Sequence, residues 1–301
     1  MVRDLFDAAA ERATARPVPD PLSHPGLRPH AALLAALAHL PPAHWAARCT
    51  GLAEARGLRS AGGAPLRFVV GGGPREGALE YEAAIFHEGR VACRDSQPGA
   101  AHDLHNALCW LAYPLTKATL NRLHLVRAAE DAGTGPTPRR GPARDRLTLL
   151  DESGVAWLSN SPELDARLHA GDWQGLLVAG RERLRAEVDV VVIGHGLLQK
   201  LAAPYKALTA HCLVCGPREG EVDAVVARSL ARAFADGAVP ELAPLPVQGL
   251  PDWDRANRDP SYYDDPRVFR TRRRSAPEGA TGALPPDLLR RPAGRAEDPS
   301  D

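Results

Sequence analysis

Apolar residues recur every three or four positions over most of the chain, which is the spacing of a helix with one buried face. The longest such stretch covers residues 102–129, and Pro114 is expected to divide it because proline cannot donate a hydrogen bond to the preceding turn. The spacing predicts helices over residues 30–40, 42–58, 102–129, 161–170, 173–186 and 221–237, and a largely helical stretch over 194–214.

Between these helices, short runs of β-branched, aromatic and other apolar residues predict strands. They predict single strands at 66–70 and 188–193, and hairpins at 81–94 and 146–159. Gly89 lies near the tip of the first hairpin, and Asp151 begins the turn of the second. The pattern therefore predicts an α+β fold, a helix-dominated single domain with short antiparallel β-hairpins.

The two ends of the chain differ from its middle. Residues 1–29 are rich in proline and polar residues, which predicts an extended N-terminal arm. Residues 275–301 combine proline, glycine and charge without periodic apolar positions, which predicts a disordered C-terminal tail. The region between them, 30–274, is expected to form the single α+β domain.

Charge excludes some functions. The chain has 37 Lys+Arg and 37 Asp+Glu among its 301 residues, so its formal net charge is zero and it lacks a chain-wide basic surface for nucleic acid. No apolar run approaches the roughly 20 residues that a membrane helix needs. These observations indicate no membrane partner and no strong nucleic-acid partner; the partner stays open, with a small molecule or a phosphoester as the candidate.

The compartment is expected to be the cytoplasm. The first residues contain no apolar core of a secretory signal. The five cysteines are few and odd in number, which is typical of reduced thiols. Cys212 and Cys215 form a single C-x-x-C without the second pair that structural zinc sites usually have.

The helix before Pro114 carries a polar stripe. On a helical wheel, one face holds His102, Asn106, Cys109 and Tyr113, and the other holds Leu104, Ala107, Leu108 and Leu111. Histidine and asparagine bind ligands or move protons, whereas the charged residues elsewhere are mostly Arg, Asp and Glu. The stripe is a candidate binding surface, and a solvated helix face is the alternative.

A similar stripe follows Pro114. Lys117, Asn121 and His124 recur at helical spacing, while the opposite side is expected to be covered by Leu115, Leu120, Leu123 and Val126. If Pro114 lets the two helices fold as a V, both stripes face one cleft. His102, Asp103, Lys117 and His124 are then candidate catalytic residues, and Asn106, Tyr113 and Asn121 candidate substrate-binding residues.

The histidines suggest a divalent metal ion as cofactor. His102 and Asp103 adjoin at a helix start and can both bind an ion there, with His124 from the second helix. His195 lies between two glycines after the buried run 188–193, an open position suited to a ligand. The alternatives are that Asp103 complements the helix N-terminus and that His195 packs at the strand end.

Lysine usage marks further positions. Only three of the 37 basic residues are lysine, which indicates sites where a compact ammonium is needed and arginine cannot replace it. Lys117 is one, and Lys200, which follows His195, is added as a candidate substrate-binding residue. Asp151 and Glu152 are read as acidic turn residues, with a functional role as the alternative.

Several segments together resemble a known family. They are YEAAIFHEGRV, HDLHNALCWLAYPLTKATLNRLH, RDRLTLLDESG, GHGLLQK, PYKALTAH, PLPVQGLPDW and YYDDPRVFRTRR. Their order resembles a bacterial domain of unknown function, family 3025, over about residues 30–273. The resemblance implies a cytosolic bacterial protein without an established activity or assigned site residues. An aromatic residue often occupies the position of His105, which lowers any role for that histidine.

Three functions from different classes remain open. The first is a metal-dependent hydrolase in which the ion activates water and Lys117 stabilises developing negative charge. The second is a nuclease of the ββα-metal type, suggested by the predicted hairpin at 81–94 and the following helix. The third is a non-catalytic binding or scaffold protein, since the sequence contains no complete triad, phosphate loop or dinucleotide fingerprint.

Overall fold

The computed structural model describes residues 23–71, 77–96, 99–133 and 140–271. The α-helices in these ranges are α1 (Ala31–Leu37), α2 (Trp45–Ala55), α3 (Ala78–Glu88), α4 (Ala100–Ala112), α5 (Pro114–Ala132), α6 (Pro142–Ser153), α7 (Pro162–Ala170), α8 (Arg181–Glu187), α9 (His195–Lys200) and α10 (Val222–Ala233). The strands are β1 (Arg67–Val70), β2 (Arg90–Cys93), β3 (Gly154–Ser159), β4 (Val188–Val192), β5 (Thr209–Gly216) and β6 (Ala243–Pro246). The helix-dominated α+β fold is confirmed.

The strands form two sheets. In the larger one the order is β4-β3-β5-β6, with β3 parallel to β5 and antiparallel to β4, and with β5 antiparallel to β6. The smaller sheet pairs β1 with β2 in parallel. Helices connect the paired strands in both sheets, so most of the pairing joins residues that are distant in sequence.

Strand β3 is the centre of the fold because it is buried on both faces. Val155 and Trp157 belong to one hydrophobic cluster, together with residues of α2, α4 and α9. Ala156 and Leu158 belong to the other, together with residues of α5, α6 and α10. This alternation follows from the period of two along a strand, and it places helices on both faces of the larger sheet.

Both predicted hairpins are wrong. Residues 78–88 form α3, and Gly89, with a φ of 69°, ends that helix in the left-handed region instead of forming a hairpin tip. The second expected hairpin is helix α6 followed directly by β3. The ββα-metal interpretation loses its basis, because the hairpin that it required is a helix followed by a strand paired in parallel.

Two further expectations change. The stretch 194–214 was expected to be largely helical, but only α9 is helical and β5 begins at Thr209. The predicted tail at 275–301 and most of the predicted arm at 1–29 lie outside the described residues. Within the described part of the arm, Pro25–His30 is a 3₁₀ helix rather than extended chain, and Leu27 is fully buried in the core.

The break at Pro114 is confirmed, since α4 ends at Ala112 and α5 begins at Pro114. Asp223 of α10 fixes the new helix start by accepting hydrogen bonds from the main-chain N–H groups of Leu115 and Thr116, both at 2.8 Å. The side chain thereby satisfies donors that a helix N-terminus leaves unpaired. None of the helices in the described ranges has the length and apolarity needed to cross a membrane.

Candidate functional site

A cavity of about 300 Å³ opens beside the end of the larger sheet where β4 ends and β3 begins. Helix α9 follows β4 and packs against both α4 and α6, so that three helices meet at this end. The cavity is lined by Ala78, Tyr81, Glu82, Ala92, Arg94, His102, Asp103, Asn106, His124, Arg140, Arg144, Thr148, Asp151, Glu152 and His195. Almost all of these side chains are polar, which suits a small polar ligand.

One corner of the cavity brings together three metal-ligand atoms, which we call the donor triangle. His102 Nε2 lies 3.1 Å from His195 Nε2 and 3.8 Å from Glu152 Oε1, and His195 Nε2 lies 3.5 Å from that oxygen. A point equidistant from the three atoms lies about 2.0 Å from each, which matches the roughly 2.0–2.2 Å bonds of zinc to nitrogen and oxygen ligands. The donor triangle can therefore hold a metal ion.

The other ring nitrogen of each histidine lies near an acceptor. His102 Nδ1 lies 3.3 Å from Gln199 Oε1, within hydrogen-bond distance, and the buried His195 Nδ1 faces Asp151 Oδ2 at 3.6 Å, beyond it. The two Nε2 atoms lie 3.1 Å apart, and one can donate to the other when it carries the proton. With both protons on Nδ1, the two Nε2 atoms are free to ligate one ion.

The protonation states also suit metal binding. Burial, reinforced by the neighbouring His195, lowers the pKa of His102. The contact with His195 is the largest cause of a lowered pKa at Glu152. At neutral pH His102 is therefore a neutral imidazole and Glu152 a carboxylate, which are the forms that ligate metals.

Two glycines explain how His195 comes so close to Glu152. A side chain at Gly194 would collide with the main-chain nitrogen of Gly154, and a Cβ at Gly196 would lie only 2.6 Å from Glu152 Oε2. The main-chain N–H groups of Ile193 and Gly194 both donate to the Gly154 carbonyl, at 3.1 and 2.9 Å. Glycine at these positions thus lets α9 start directly against the end of α6.

A charged pair forms the inner wall behind the donor triangle. Lys117 Nζ, on the buried side of α5, donates to Asp151 Oδ1. Burial opposes the charge on both groups, but their attraction outweighs it: the pKa of Asp151 falls to about 2 and the pKa of Lys117 rises. Asp151 therefore stays ionised between Lys117 and His195.

The two asparagines of the polar stripes bind neighbouring protein groups. Asn106 Nδ2 donates to the Tyr81 hydroxyl at 2.9 Å, and Asn121 Nδ2 donates to Glu82 Oε2 at 2.7 Å and to its carbonyl at 2.9 Å. Burial, with Asp151 adding repulsion, raises the pKa of Glu82 to about 7. Both asparagines therefore connect the cavity wall to α3.

Two of the expected metal ligands lie apart from the donor triangle. Asp103 accepts three hydrogen bonds from Arg94: from Nε at 2.7 Å, from Nη2 at 2.6 Å and from the Arg94 main-chain N–H at 2.8 Å. Both carboxylate oxygens of Asp103 are therefore already hydrogen-bonded. His124 lines the cavity, and burial, only partly offset by Asp151, lowers its pKa to about 4. Among the described residues, the group within reach of one ion contains neither Asp103 nor His124.

Two other candidates lie elsewhere. Tyr113 packs edge-on against the buried His30, with ring centroids 5.4 Å apart, in the second hydrophobic cluster. Lys200 is exposed at the end of α9. Neither is among the described residues that line the cavity.

The sequence pattern assigns Asp151 and Glu152 to a hairpin turn, with a functional role as the alternative, so Glu152 is not among the predicted metal ligands. A usable signal lies just before them. Pro142 suits the first turn of a helix, and Leu147 and Leu150 are spaced three apart, which indicates a helix that ends at the acidic pair.

Comparison with known proteins gives a family but no activity. Residues 66–273 match the model of a family described as Protein of unknown function (DUF3025). No curated protein and no solved structure matches the chain. Because the family model covers more than half of the 301 residues, the chain belongs to this family of proteins of unknown function.

Proposed function

We propose that the cavity is the active site of a metal-dependent hydrolase whose divalent ion is bound by His102, His195 and Glu152. The observation that carries this proposal is the donor triangle, whose atoms lie 3.1, 3.5 and 3.8 Å apart at the edge of a polar cavity. Two histidines and one glutamate are also a ligand set of catalytic zinc, which leaves a further position for water or substrate.

The metal would lower the pKa of a bound water and so supply the nucleophile. Gln199 would hold His102 in the ligating tautomer, the negative charge of Asp151 would favour a proton on His195 Nδ1, and Lys117 keeps Asp151 charged. Lys117 would thus act through Asp151. The sequence analysis instead predicted that Lys117 stabilises negative charge on the substrate directly. His124 lines the same cavity as a neutral imidazole at pH 7, and its pKa of about 4 makes it a weak base there.

Metal analysis of the purified full-length chain tests the proposal. We expect about one equivalent of zinc, manganese or iron per chain, and we expect His102→Ala and Glu152→Gln to lose it. His87→Ala changes an exposed histidine and is the matched control. A chain that binds none of these ions, and whose stability is insensitive to a chelator, would instead support the scaffold interpretation.

Activity requires its own assay. Chromogenic phosphate, carboxylate-ester and amide substrates, each with and without added metal, separate the main classes of hydrolysis. We expect turnover with one class, and we expect both the chelator and Glu152→Gln to abolish it. As the setting we propose the bacterial cytoplasm, where free thiols such as those of the five cysteines are usual.

A further inference from the structure

In the described part of the chain, three arginines line the same cavity, and two of them form ion pairs with aspartates. Arg94 binds Asp103 with both its Nε and Nη2 atoms. Arg140 donates from Nε to Asp145 at 2.7 Å. The third, Arg144 on α6, is therefore the guanidinium whose surroundings need explanation.

Among the described residues, Arg144 has no carboxylate within hydrogen-bond distance. The closest carboxylate oxygen there is Asp131 Oδ2, 3.7 Å from Nη1, and that oxygen already accepts the Gly141 N–H at 2.9 Å. Its Nε is buried without a hydrogen-bond partner among the described residues. An unpaired buried donor is costly, and an anion in the cavity can pair with the rest of this guanidinium.

The Arg144 main chain is itself held in place. Arg140 Nη2 donates to the Arg144 carbonyl at 3.1 Å and also to the Thr148 hydroxyl. The Arg144 side chain is 17% exposed and lines the cavity. Its guanidinium offers planar, two-pronged recognition of an oxyanion.

The net charge of the cavity wall determines whether the cavity favours a cationic or an anionic ligand. Among the described residues, the cavity wall carries four carboxylates, Glu82, Asp103, Asp151 and Glu152, and three arginines. A divalent ion on the donor triangle reverses this balance to positive, and the pKa of Glu82, raised to about 7 by burial, reduces the negative charge further. The metal-loaded cavity therefore favours an anionic substrate.

The size of the cavity limits the rest of that substrate. Its volume is about 300 Å³, which is at the small end of ligand-binding cavities. The wall exposes polar and apolar surface in similar amounts, so the cavity selects by size more than by polarity. A small molecule with an anionic group fits this cavity.

We propose that Arg144 binds the phosphoryl group of a small phosphate monoester, the substrate of the hydrolase proposed above. This inference rests on that proposed function. In the reaction, water oxygen forms a bond to phosphorus, and the bond from phosphorus to the ester oxygen breaks. The leaving oxygen takes a proton from the attacking water, so that the products are an alcohol and inorganic phosphate.

Binding of inorganic phosphate, measured by calorimetry on the metal-loaded chain, tests the inference. We expect Arg144→Gln to weaken phosphate binding about 10- to 100-fold, as loss of charge-assisted hydrogen bonds does, with the metal content unchanged. Arg144→Lys keeps the positive charge but loses the planar pair of N–H donors, so it should retain only part of the phosphate affinity. Acetate is the comparison ligand in the same measurement, and we expect it to bind more weakly than phosphate.

Arg146→Gln is the matched control. Arg146 lies on the same helix and also has a buried Nε without a partner among the described residues, but it does not line the cavity. Equal phosphate affinity in Arg144→Gln, Arg146→Gln and the unmodified chain, or no phosphate binding by metal-loaded protein, would overturn the inference and leave the metal site intact. Failure to bind metal would instead reject the proposed function.

Discussion

Lys117 of α5 and Asp151 of α6 form an ion pair behind the cavity, and the same carboxylate faces His195 Nδ1 at 3.6 Å. The lysine side chain is only 5% exposed and that of the aspartate 22%. The pair thus connects the buried face of α5 with the histidine that follows β4. Its charges are retained because each keeps the other ionised.

Breaking this pair should destabilise the fold strongly. We expect Lys117→Met to lower the free energy of unfolding by about 3–5 kcal/mol, because it leaves the carboxylate of Asp151 largely buried and unpaired. Urea denaturation measures the change. Arg218→Met breaks the exposed ion pair with Asp189 and should cost no more than about 1 kcal/mol. An equal decrease in the free energy of unfolding in the two variants would contradict the view that leaving the buried Asp151 unpaired is costly.

The neighbours of the ligands should tune metal affinity. Gln199→Ala removes the acceptor that orients His102, and we expect metal affinity to fall about 10- to 100-fold. Competition with a chromophoric chelator gives the dissociation constant. Gln174→Ala, at an exposed glutamine, serves as the control. An unchanged affinity in Gln199→Ala would show that this side chain does not orient the ligand.

The glycine after His195 should matter more for the metal than for folding. In Gly196→Ala the new methyl group displaces the Glu152 carboxylate, so we expect weaker metal binding. Gly51→Ala, within α2 and with open space around it, should leave metal binding unchanged and raise stability by about 0.5–1 kcal/mol. Chelator competition and thermal unfolding measure the two effects. Equal metal affinity in Gly196→Ala and Gly51→Ala would show that a methyl group at position 196 does not displace the Glu152 carboxylate.

Stability should fall in mild acid. Burial lowers the pKa of His30 to about 4, below its ordinary value of 6.5. Above pH 6.5 the histidine is neutral in both states and its contribution is complete. As pH falls from 6.5 towards 4, His30 is protonated in the unfolded chain but not in the folded chain, so the free energy of unfolding decreases. By pH 5 this histidine alone should cost about 2 kcal/mol.

Urea denaturation of His30→Phe at pH 7 and pH 5 measures that contribution. The variant should lose about 2 kcal/mol less than the unmodified chain between these two pH values. His39→Phe, at an exposed histidine, should keep the full pH dependence. If His30→Phe also keeps it, the burial of His30 does not contribute to acid sensitivity.

Local sequence signals predicted the helix pair around Pro114 and the burial of Leu104, Leu108 and Leu111. For α5 they succeeded only in part, because Leu120 and Leu123 are buried as predicted but the rest of that side is not. Lys117 and Asn121 are buried, whereas Leu115 and Val126 on the supposed core side are 53% and 41% exposed. The polar stripe of α5 faces inward because its partners, on α3 and α6, are polar as well.

The remaining errors come from pairing that is not local. Strand β5 is held by β3 on one side and β6 on the other, and its own residues alone do not distinguish it from a helix. Likewise, His102 and His195 are 93 positions apart, so no local spacing indicates that their nitrogens meet. Tertiary contacts decide such segments, and intrinsic propensity is the weaker influence.

The donor triangle draws its three atoms from three separate helices, α4, α6 and α9. An unfolded chain holds these atoms far apart, so the ion would recognise the finished fold alone. At a free ion concentration of 100 times the dissociation constant, this selectivity adds about 2.7 kcal/mol to stability. Occupancy of the triangle would then report correct folding, and metal starvation of the cell would shorten the protein's lifetime.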